Sequence, residues 1–372
     1  MPESAPAVAA ATPPARTRAG YIDWMRGLAV LVMILAHVVD AWTVLGPTRQ
    51  TRAYFWFMVV AGMGAPMFLW LAGLAVALAG ESRVRRGASI VEASRRLQVR
   101  GWQIFGLALL FRLQAYVFSA GATAYGMLKV DILNVMGLSL VAAGWCWGRG
   151  RTAIQRVAIA TGVTLAILVL TPLFRVWEWP ALLPDPIEWY LRPAPNRTTF
   201  TLFPWSAFVF GGLALGAWLA PRPPERRGVA FHAGCLVGGA AFALAAYALS
   251  FCPTMLPGSR FWTTSPAFFA IRLGALVAVF GALHLVLRPG GPWSRLAWPR
   301  TWSPMELFGR TSLFVYWVHV ELVYGIFSRP LHKRLSLDGA LVAFALFTLV
   351  MLAIAMLKTK YWDRQEPWRA TP

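Results

Sequence analysis

Long apolar runs, each close to 20 residues, follow one another along most of the chain and constrain its fold more than any other feature. A helix of about 20 apolar residues is long enough to cross the hydrocarbon core of a bilayer. The chain is 58% hydrophobic and only 13% charged, whereas a soluble domain carries about a quarter of charged residues. These patterns exclude a soluble globular enzyme, a disordered protein and a single-pass anchor with a soluble head.

The runs predict an all-α fold, namely a polytopic membrane helical bundle of about ten transmembrane helices. The predicted spans are 25–45, 53–80, 101–121, 131–148, 153–174, 200–220, 229–251, 266–288, 305–328 and 338–358. We interpret residues 21–360 as a single transmembrane domain. The Pro- and Ala-rich segment 1–20 is predicted to be a disordered cytosolic tail, and 361–372 a cytosolic C-terminal tail.

The net charge of +20 would indicate a nucleic-acid partner in a soluble protein. Here most Lys and Arg residues lie in the short loops of one side, where they set the orientation of the spans. We therefore expect no nucleic-acid partner, and we place both termini in the cytosol, which agrees with an even number of spans. The excess of Arg over Lys and the lack of sorting signals favour a bacterial inner (plasma) membrane.

The first span carries a polar stripe on an otherwise apolar helix. At 100° per residue, Asp23, Arg26, His37 and Asp40 fall within an arc about 100° wide. His37 lies near the predicted midplane, where ionisable groups are costly and usually face a cavity or the bundle interior. Imidazole transfers protons near neutral pH, and we expect Asp40, one turn further on, to orient it. The alternative is a buried His and Asp that satisfy each other between helices.

A second histidine near the midplane, His319, shares a helical face with Ser312 and Tyr316. Its predicted depth is close to that of His37, so it is a further candidate, although a hydrogen-bonded interhelical histidine gives the same pattern. Glu321 points away from His319. No metal-ligand spacing is present, so we predict no metal site.

A basic segment leads into the third span. Arg96, Arg100 and Gln103 lie on one helical face, with Arg95 beside it. Arginines at a cytosolic opening can bind phosphates through paired hydrogen bonds. Simple anchoring to anionic lipid is the alternative.

The longest external loop, 171–199, alternates aromatic and acidic side chains, among them Trp177, Glu178, Trp179 and Trp189. Flat rings and carboxylates could stack on a sugar and hydrogen-bond to it, whereas a belt of Trp at the membrane interface is the structural alternative. Lys129, Asp131 and Asn134 lie near the same side. They either line a site or form a local salt bridge.

Several segments resemble transmembrane acyltransferases, namely the acyltransferase-3 family and bacterial heparan-α-glucosaminide N-acetyltransferase-like proteins. The segments are Asp-Trp-Met-Arg-Gly-Leu-Ala-Val at 23–30 with His37, 64–73, 131–139, 203–216 and 309–319. Arg26 and His37 match the Arg and His of the acyltransferase-3 pattern. The Arg-x-x-Arg of that family's third span and the His-x-x-Trp-Asn-Gly loop of the second group are absent.

The resemblance implies an integral-membrane acyltransferase that uses acyl-CoA, most simply acetyl-CoA, as a co-substrate and holds no bound cofactor. It implies that Arg95, Arg96, Arg100 and Gln103 bind the donor. His37 would act as the general base or carry the acyl group, with Arg26 holding donor charge or stabilising the oxyanion. The acceptor would be a cell-surface glycan or its lipid-linked precursor.

Two other classes of function remain open. A transporter or lipid flippase would use the polar stripe as a proton relay, although the sequence shows no internal repeat of the kind on which many transporters are built. A binding or regulatory membrane protein with a degenerate site is the third class.

Overall fold

A computed structural model describes residues 20–118, 123–222, 227–254, 256–288, 290–294 and 303–362. Within these residues the chain is helical, and its only β-type pairings are two isolated bridges, Thr43 with Leu335 and Val130 with Thr198. The predicted all-α fold is therefore confirmed. The tails predicted at 1–20 and 361–372 lie almost wholly outside the described residues.

Fourteen α-helices are described. They are α1 (Gly20–Trp42), α2 (Arg52–Ala61), α3 (Gly64–Arg85), α4 (Ile90–Phe118), α5 (Ala124–Met127), α6 (Ile132–Arg149), α7 (Ala153–Val176), α8 (Asp185–Leu191), α9 (Leu202–Leu219), α10 (Val229–Leu249), α11 (Pro266–Leu287), α12 (Pro304–Arg310), α13 (Ser312–Tyr324) and α14 (Leu337–Tyr361). Each of the ten predicted spans coincides with at least one of these helices.

Seven segments of the described chain are long and apolar enough to cross a membrane, which makes this a multi-pass membrane protein. They are Gly20–Trp42, Arg52–Arg85, Ala153–Val176, Leu202–Leu219, Val229–Leu249, Pro266–Leu287 and Leu337–Tyr361. The count of ten is not confirmed and stays a prediction. Of the other helices, α13 has only 13 residues, and α4 carries four arginines along its 29 residues.

One predicted span differs in shape from the expectation. The segment 305–328 is broken at Thr311 into α12 and α13. Gly309 packs on the backbone of Asp23, and Gly27 packs on that of Met305, so α12 runs antiparallel to α1. The chain then reverses, and α13 runs back alongside α1.

Two apolar clusters hold the bundle together. The larger one joins α3, α4, α6, α7 and α9, and includes the fully buried rings of Trp70, Trp147 and Phe208. The second cluster joins α1, α12, α13 and α14 through side chains such as Ile34, Val315 and Met351. This second cluster fixes α13 against α1.

Helices α3 and α9 approach so closely that only glycine fits at the contact. A Cβ at Gly73 would lie 1.8 Å from the carbonyl oxygen of Val209, and a Cβ at Gly212 would lie 1.9 Å from that of Trp70. Small residues of this kind allow membrane helices to pack backbone against backbone.

We predict that Gly73→Ala and Gly212→Ala each destabilise the protein by about 1–3 kcal/mol or more, because the two helices must separate to admit the methyl group. Thermal unfolding of the detergent-purified variants measures the effect. Gly162→Ala is the matched control, since a Cβ there meets no heavy atom within 4 Å. Equal melting temperatures for Gly73→Ala and Gly162→Ala would contradict the close contact.

Candidate functional site

A cavity of about 1000 Å³ lies within the bundle between α1, α3, α4, α6 and α13. One end, which we call the basic end, lies where α1 begins and is lined by Arg26, Arg83 and Arg100. The opposite end is lined by Lys129, Asp131, Val320, Glu321, Tyr324 and Gly325. His37 lines the cavity between these two ends. The imidazole of His37 therefore shares one cavity with both groups of charged side chains.

His37 is hydrogen-bonded to His319 on the neighbouring helix α13. The distance from His37 Nδ1 to His319 Nε2 is 2.7 Å, and the two rings are within 10° of parallel with their centroids 5.0 Å apart. His319 is fully buried, and its Nδ1 lies 2.9 Å from the backbone oxygen of Val315. The polar stripe of α1 and the polar face of α13 thus meet in one pair of imidazoles.

The partners of the two rings decide which nitrogen carries the proton. A carbonyl oxygen only accepts hydrogen bonds, so Nδ1 of His319 must carry a hydrogen toward Val315. In the neutral ring, Nε2 of His319 is then an acceptor, and Nδ1 of His37 donates to it. The lone pair of neutral His37 is left on Nε2, on the ring that lines the cavity. This is the arrangement that a general base requires.

The predicted role of Asp40 as the group that orients His37 is wrong. Its carboxylate is paired with Arg49 at 3.2 Å, and its side chain is 44% exposed. Arg49 also donates to the backbone oxygens of Asp40 and Thr43, and Lys333 Nζ donates to that of Asp40. These cations hold Asp40 at the end of α1, while His319 takes the position beside His37.

Arg26 lines the basic end of the cavity and is paired with Asp23 at 3.2 Å. Asp23 is buried against α12 and is not part of the cavity lining. The structure therefore separates the predicted stripe into cavity-facing groups, Arg26 and His37, and groups that hold the helix end, Asp23 and Asp40.

Only one member of the predicted donor-binding set reaches the cavity. Arg100 lines it, whereas Arg95, Arg96 and Gln103 are exposed and lie outside the lining. Arg96 is paired instead with Glu92, one turn earlier on the exposed face of α4. These three side chains do not line the cavity, and their role in donor binding stays a prediction. Arg83, from the last turn of α3, lines the cavity together with Arg100.

At the opposite end, Asp131 lines the cavity and forms an ion pair of 2.6 Å with Arg112 of α4. Lys129 lines the cavity as well. Asn134 is buried, closes a capping box with Asp131 at the start of α6 and donates to the Tyr190 hydroxyl at 3.4 Å. Burial raises the pKa of Tyr190, which keeps the phenol neutral. The sequence left open whether these residues line a site or form a local salt bridge. In the structure, Asp131 does both.

The predicted sugar-binding residues of the external loop do not reach the cavity. Trp189 is buried against Val130 and Val135, and Trp177 packs on Phe174. Glu178 and Trp179 are exposed outside the cavity lining. Sugar binding by this loop stays a prediction, and it would take place outside the cavity. Residues further along the chain, Thr199, Phe200 and Trp205, line the cavity instead.

Sequence reasoning assigned no site role to Arg83, Arg112, Glu321 and Tyr324, which all line the cavity. Arg112 had a usable signal, since a lone charge inside a predicted span usually marks a functional pathway. Glu321 had no such signal, since residues on the face of His319, such as Tyr316, line the same cavity. Among the described residues, no group of three or more His, Cys, Asp or Glu side chains could hold a metal ion.

Comparison with protein families gives one match that spans more than half of the chain. The family model described as heparan-alpha-glucosaminide N-acetyltransferase, catalytic, matches residues 18–251. The matched segment includes Arg26, His37, Arg83, Arg100 and Asp131, whereas His319 lies beyond it. The resemblance to acyltransferase-3 proteins stays a prediction. Comparison with curated proteins gives no match.

We predict that diethylpyrocarbonate modifies His37 faster than His319, because the reagent attacks an unprotonated ring nitrogen. His37 has its Nε2 in the cavity, whereas both nitrogens of buried His319 are engaged. Peptide mass spectrometry after a short exposure of the detergent-purified protein measures both sites. His332 is exposed and serves as the control for reagent activity. Modification of His319 before His37 would contradict the assigned tautomers.

Proposed function

Because the chain belongs to the heparan-alpha-glucosaminide N-acetyltransferase catalytic family, we propose that it is an integral-membrane acetyltransferase that uses acetyl-CoA. The acceptor is an amine or hydroxyl of a cell-surface glycan or of its lipid-linked precursor. The observation that carries the proposal is the imidazole of His37, which lines a cavity between two groups of charged side chains and whose Nε2 is left as a hydrogen-bond acceptor by the pairing of Nδ1 with His319.

The donor enters at the basic end, which we assign to the cytosol of a bacterial inner membrane. Arg26, Arg83 and Arg100 line this end, and guanidinium groups bind phosphates with paired, charge-assisted hydrogen bonds. Arg26 and His37 are 11 residues apart, or about 16 Å along the helix axis. A donor with phosphates at one end and a thioester at the tip of an extended arm fits this spacing.

The acceptor approaches from the opposite end. Its amine or hydroxyl loses a proton to Nε2 of His37 as it attacks the thioester carbonyl carbon. A carbon–nitrogen or carbon–oxygen bond forms, the carbon–sulfur bond breaks, and the proton moves from His37 to the CoA thiolate. His319 stabilises the transient imidazolium by accepting the hydrogen bond from Nδ1. A covalent route, in which Nε2 itself takes the acetyl group and then passes it on, uses the same geometry.

A transporter or flippase remains the competing function, because a paired imidazole at a cavity inside the bundle also suits a proton relay. Purified protein incubated with labelled acetyl-CoA separates the two. Transfer of label or release of CoA supports the enzyme. Transport by reconstituted protein without thioester turnover would support the carrier, and the absence of both activities would favour a degenerate binding protein.

We predict that His37→Gln lowers acetyl transfer roughly 100- to 10,000-fold, which is the usual contribution of a general base. Release of CoA from acetyl-CoA, with glucosamine as the probe acceptor, measures it. His332→Gln, on the exposed external surface, is the matched control and should keep the wild-type rate. Full activity of a normally folded His37→Gln protein would refute the proposed mechanism.

We predict that Arg83→Gln and Arg100→Gln each raise the Michaelis constant for acetyl-CoA roughly 10- to 100-fold, because each removes a charge-assisted hydrogen bond of about 1.5–3 kcal/mol. Arg96→Gln is matched in charge and helix, yet its side chain is paired with Glu92 outside the cavity, so its constant should stay unchanged. The steady-state rate at varied acetyl-CoA gives all three values. An effect of Arg96→Gln alone would move the donor site out of the cavity.

A further inference from the structure

The proposed transfer develops negative charge on the thioester oxygen, and the base alone does nothing to stabilise it. Enzymes that transfer acyl groups place hydrogen-bond donors where this charge appears. Two tyrosines of α13, Tyr316 and Tyr324, line the cavity beside the histidine pair. Their positions along the helix distinguish them.

Tyr316 lies on the donor side of the histidine pair. It precedes His319 by three residues, which is about 4.5 Å along the axis toward the basic end. Tyr324 follows His319 by five residues, which is about 7.5 Å toward the opposite end. A thioester that arrives from the basic end therefore passes Tyr316 before its carbonyl carbon reaches His37. The backbone of Tyr324 lies on the side from which the acceptor comes, and its ring packs edge-on against that of His37, with centroids 5.7 Å apart.

The Tyr316 ring is held in place, whereas its hydroxyl is unused. The ring packs against Phe111 of α4, with centroids 6.0 Å apart, and against His319 at 5.8 Å. Only 9% of the residue is exposed, yet its hydroxyl makes no hydrogen bond to the described part of the chain. Buried phenols normally find a partner. A rigid donor that faces a cavity without a partner is preorganised for a ligand atom.

Two other donors on the cavity wall fit the oxyanion less well. Ser312 lies one further turn toward the basic end, about 6 Å along the axis from Tyr316, and so lies away from the base. Arg112 also lines the cavity, but its guanidinium is committed to Asp131 at 2.6 Å.

We propose that Tyr316 is a catalytic residue that donates a hydrogen bond from its hydroxyl to the thioester oxygen as the tetrahedral intermediate forms. The inference rests on the proposed acetyl transfer. The phenol keeps its proton throughout, since the proton taken from the acceptor travels through His37 to the departing sulfur. The hydrogen bond strengthens as charge builds on the oxygen, so it acts on kcat rather than on donor binding.

We predict that Tyr316→Phe lowers kcat roughly 100- to 1000-fold, the usual cost of one oxyanion donor, with little change in the Michaelis constant for acetyl-CoA. CoA release with glucosamine as the acceptor measures both constants. Modification of His37 by diethylpyrocarbonate should proceed at the wild-type rate, which shows that the base is intact. Tyr21→Phe is the matched control, since this half-buried phenol donates to His232 outside the cavity, and its kcat should be unchanged.

Tyr324→Phe completes the experiment. A loss of kcat in Tyr324→Phe, with Tyr316→Phe at the wild-type rate, would overturn the assignment and put the donor on the acceptor side. A wild-type kcat for Tyr316→Phe, beside an inactive His37→Gln protein, would refute the inference while the proposed function stands. Wild-type protein that releases no CoA and transfers no label to glucosamine or to membrane glycan would refute both.

Discussion

The hydrogen bond between His37 and His319 is the interaction on which the rest of the site depends. It joins α1 to α13 inside the bundle, where the apolar cluster of Ile34, Val315 and Met351 holds the helices in register. The backbone oxygen of Val315 accepts a hydrogen bond from Nδ1 of His319 and so fixes which nitrogens of the two rings donate and which accept. With His319 held in one tautomer, His37 must donate through Nδ1 and keep its lone pair on Nε2. The reactive nitrogen thus follows from a carbonyl one helical turn before His319.

The two ends of the cavity differ in the charge of the side chains that line them. At the basic end, three arginines from α1, α3 and α4 surround an opening suited to phosphates. At the other end, the Arg112–Asp131 pair, Lys129 and Glu321 present both charge signs, which suits a polar acceptor with hydroxyls and amines. The histidine pair lies between these ends, so donor and acceptor need not compete for one entrance. The proposed transfer across the membrane would then require no movement of His37.

Several elements of the site follow from sequence reasoning and others do not. Arg26 and His37 are exposed to the cavity because helical periodicity puts them on one face of an apolar helix. The same periodicity includes Asp40 and Asp23, yet Arg49 and the packing of α12 remove both from the cavity. Helical periodicity gives only the face on which a residue lies on its own helix. It cannot tell which neighbour will cover each part of that face, so Arg96 and Arg100, which share a face of α4, end in different surroundings.

By itself, the sequence determined the all-helical class, the multi-pass character, most helix positions and the polar groups on α1 and α13, because these follow from local hydropathy and a 3.6-residue repeat. Only the tertiary structure decided which polar groups meet. The pairing of His37 with His319 joins residues 282 positions apart, and the close contact of Gly73 with α9 sets helices that are distant in the chain side by side. Such contacts depend on how several helices fill the space between them, which no single helix encodes.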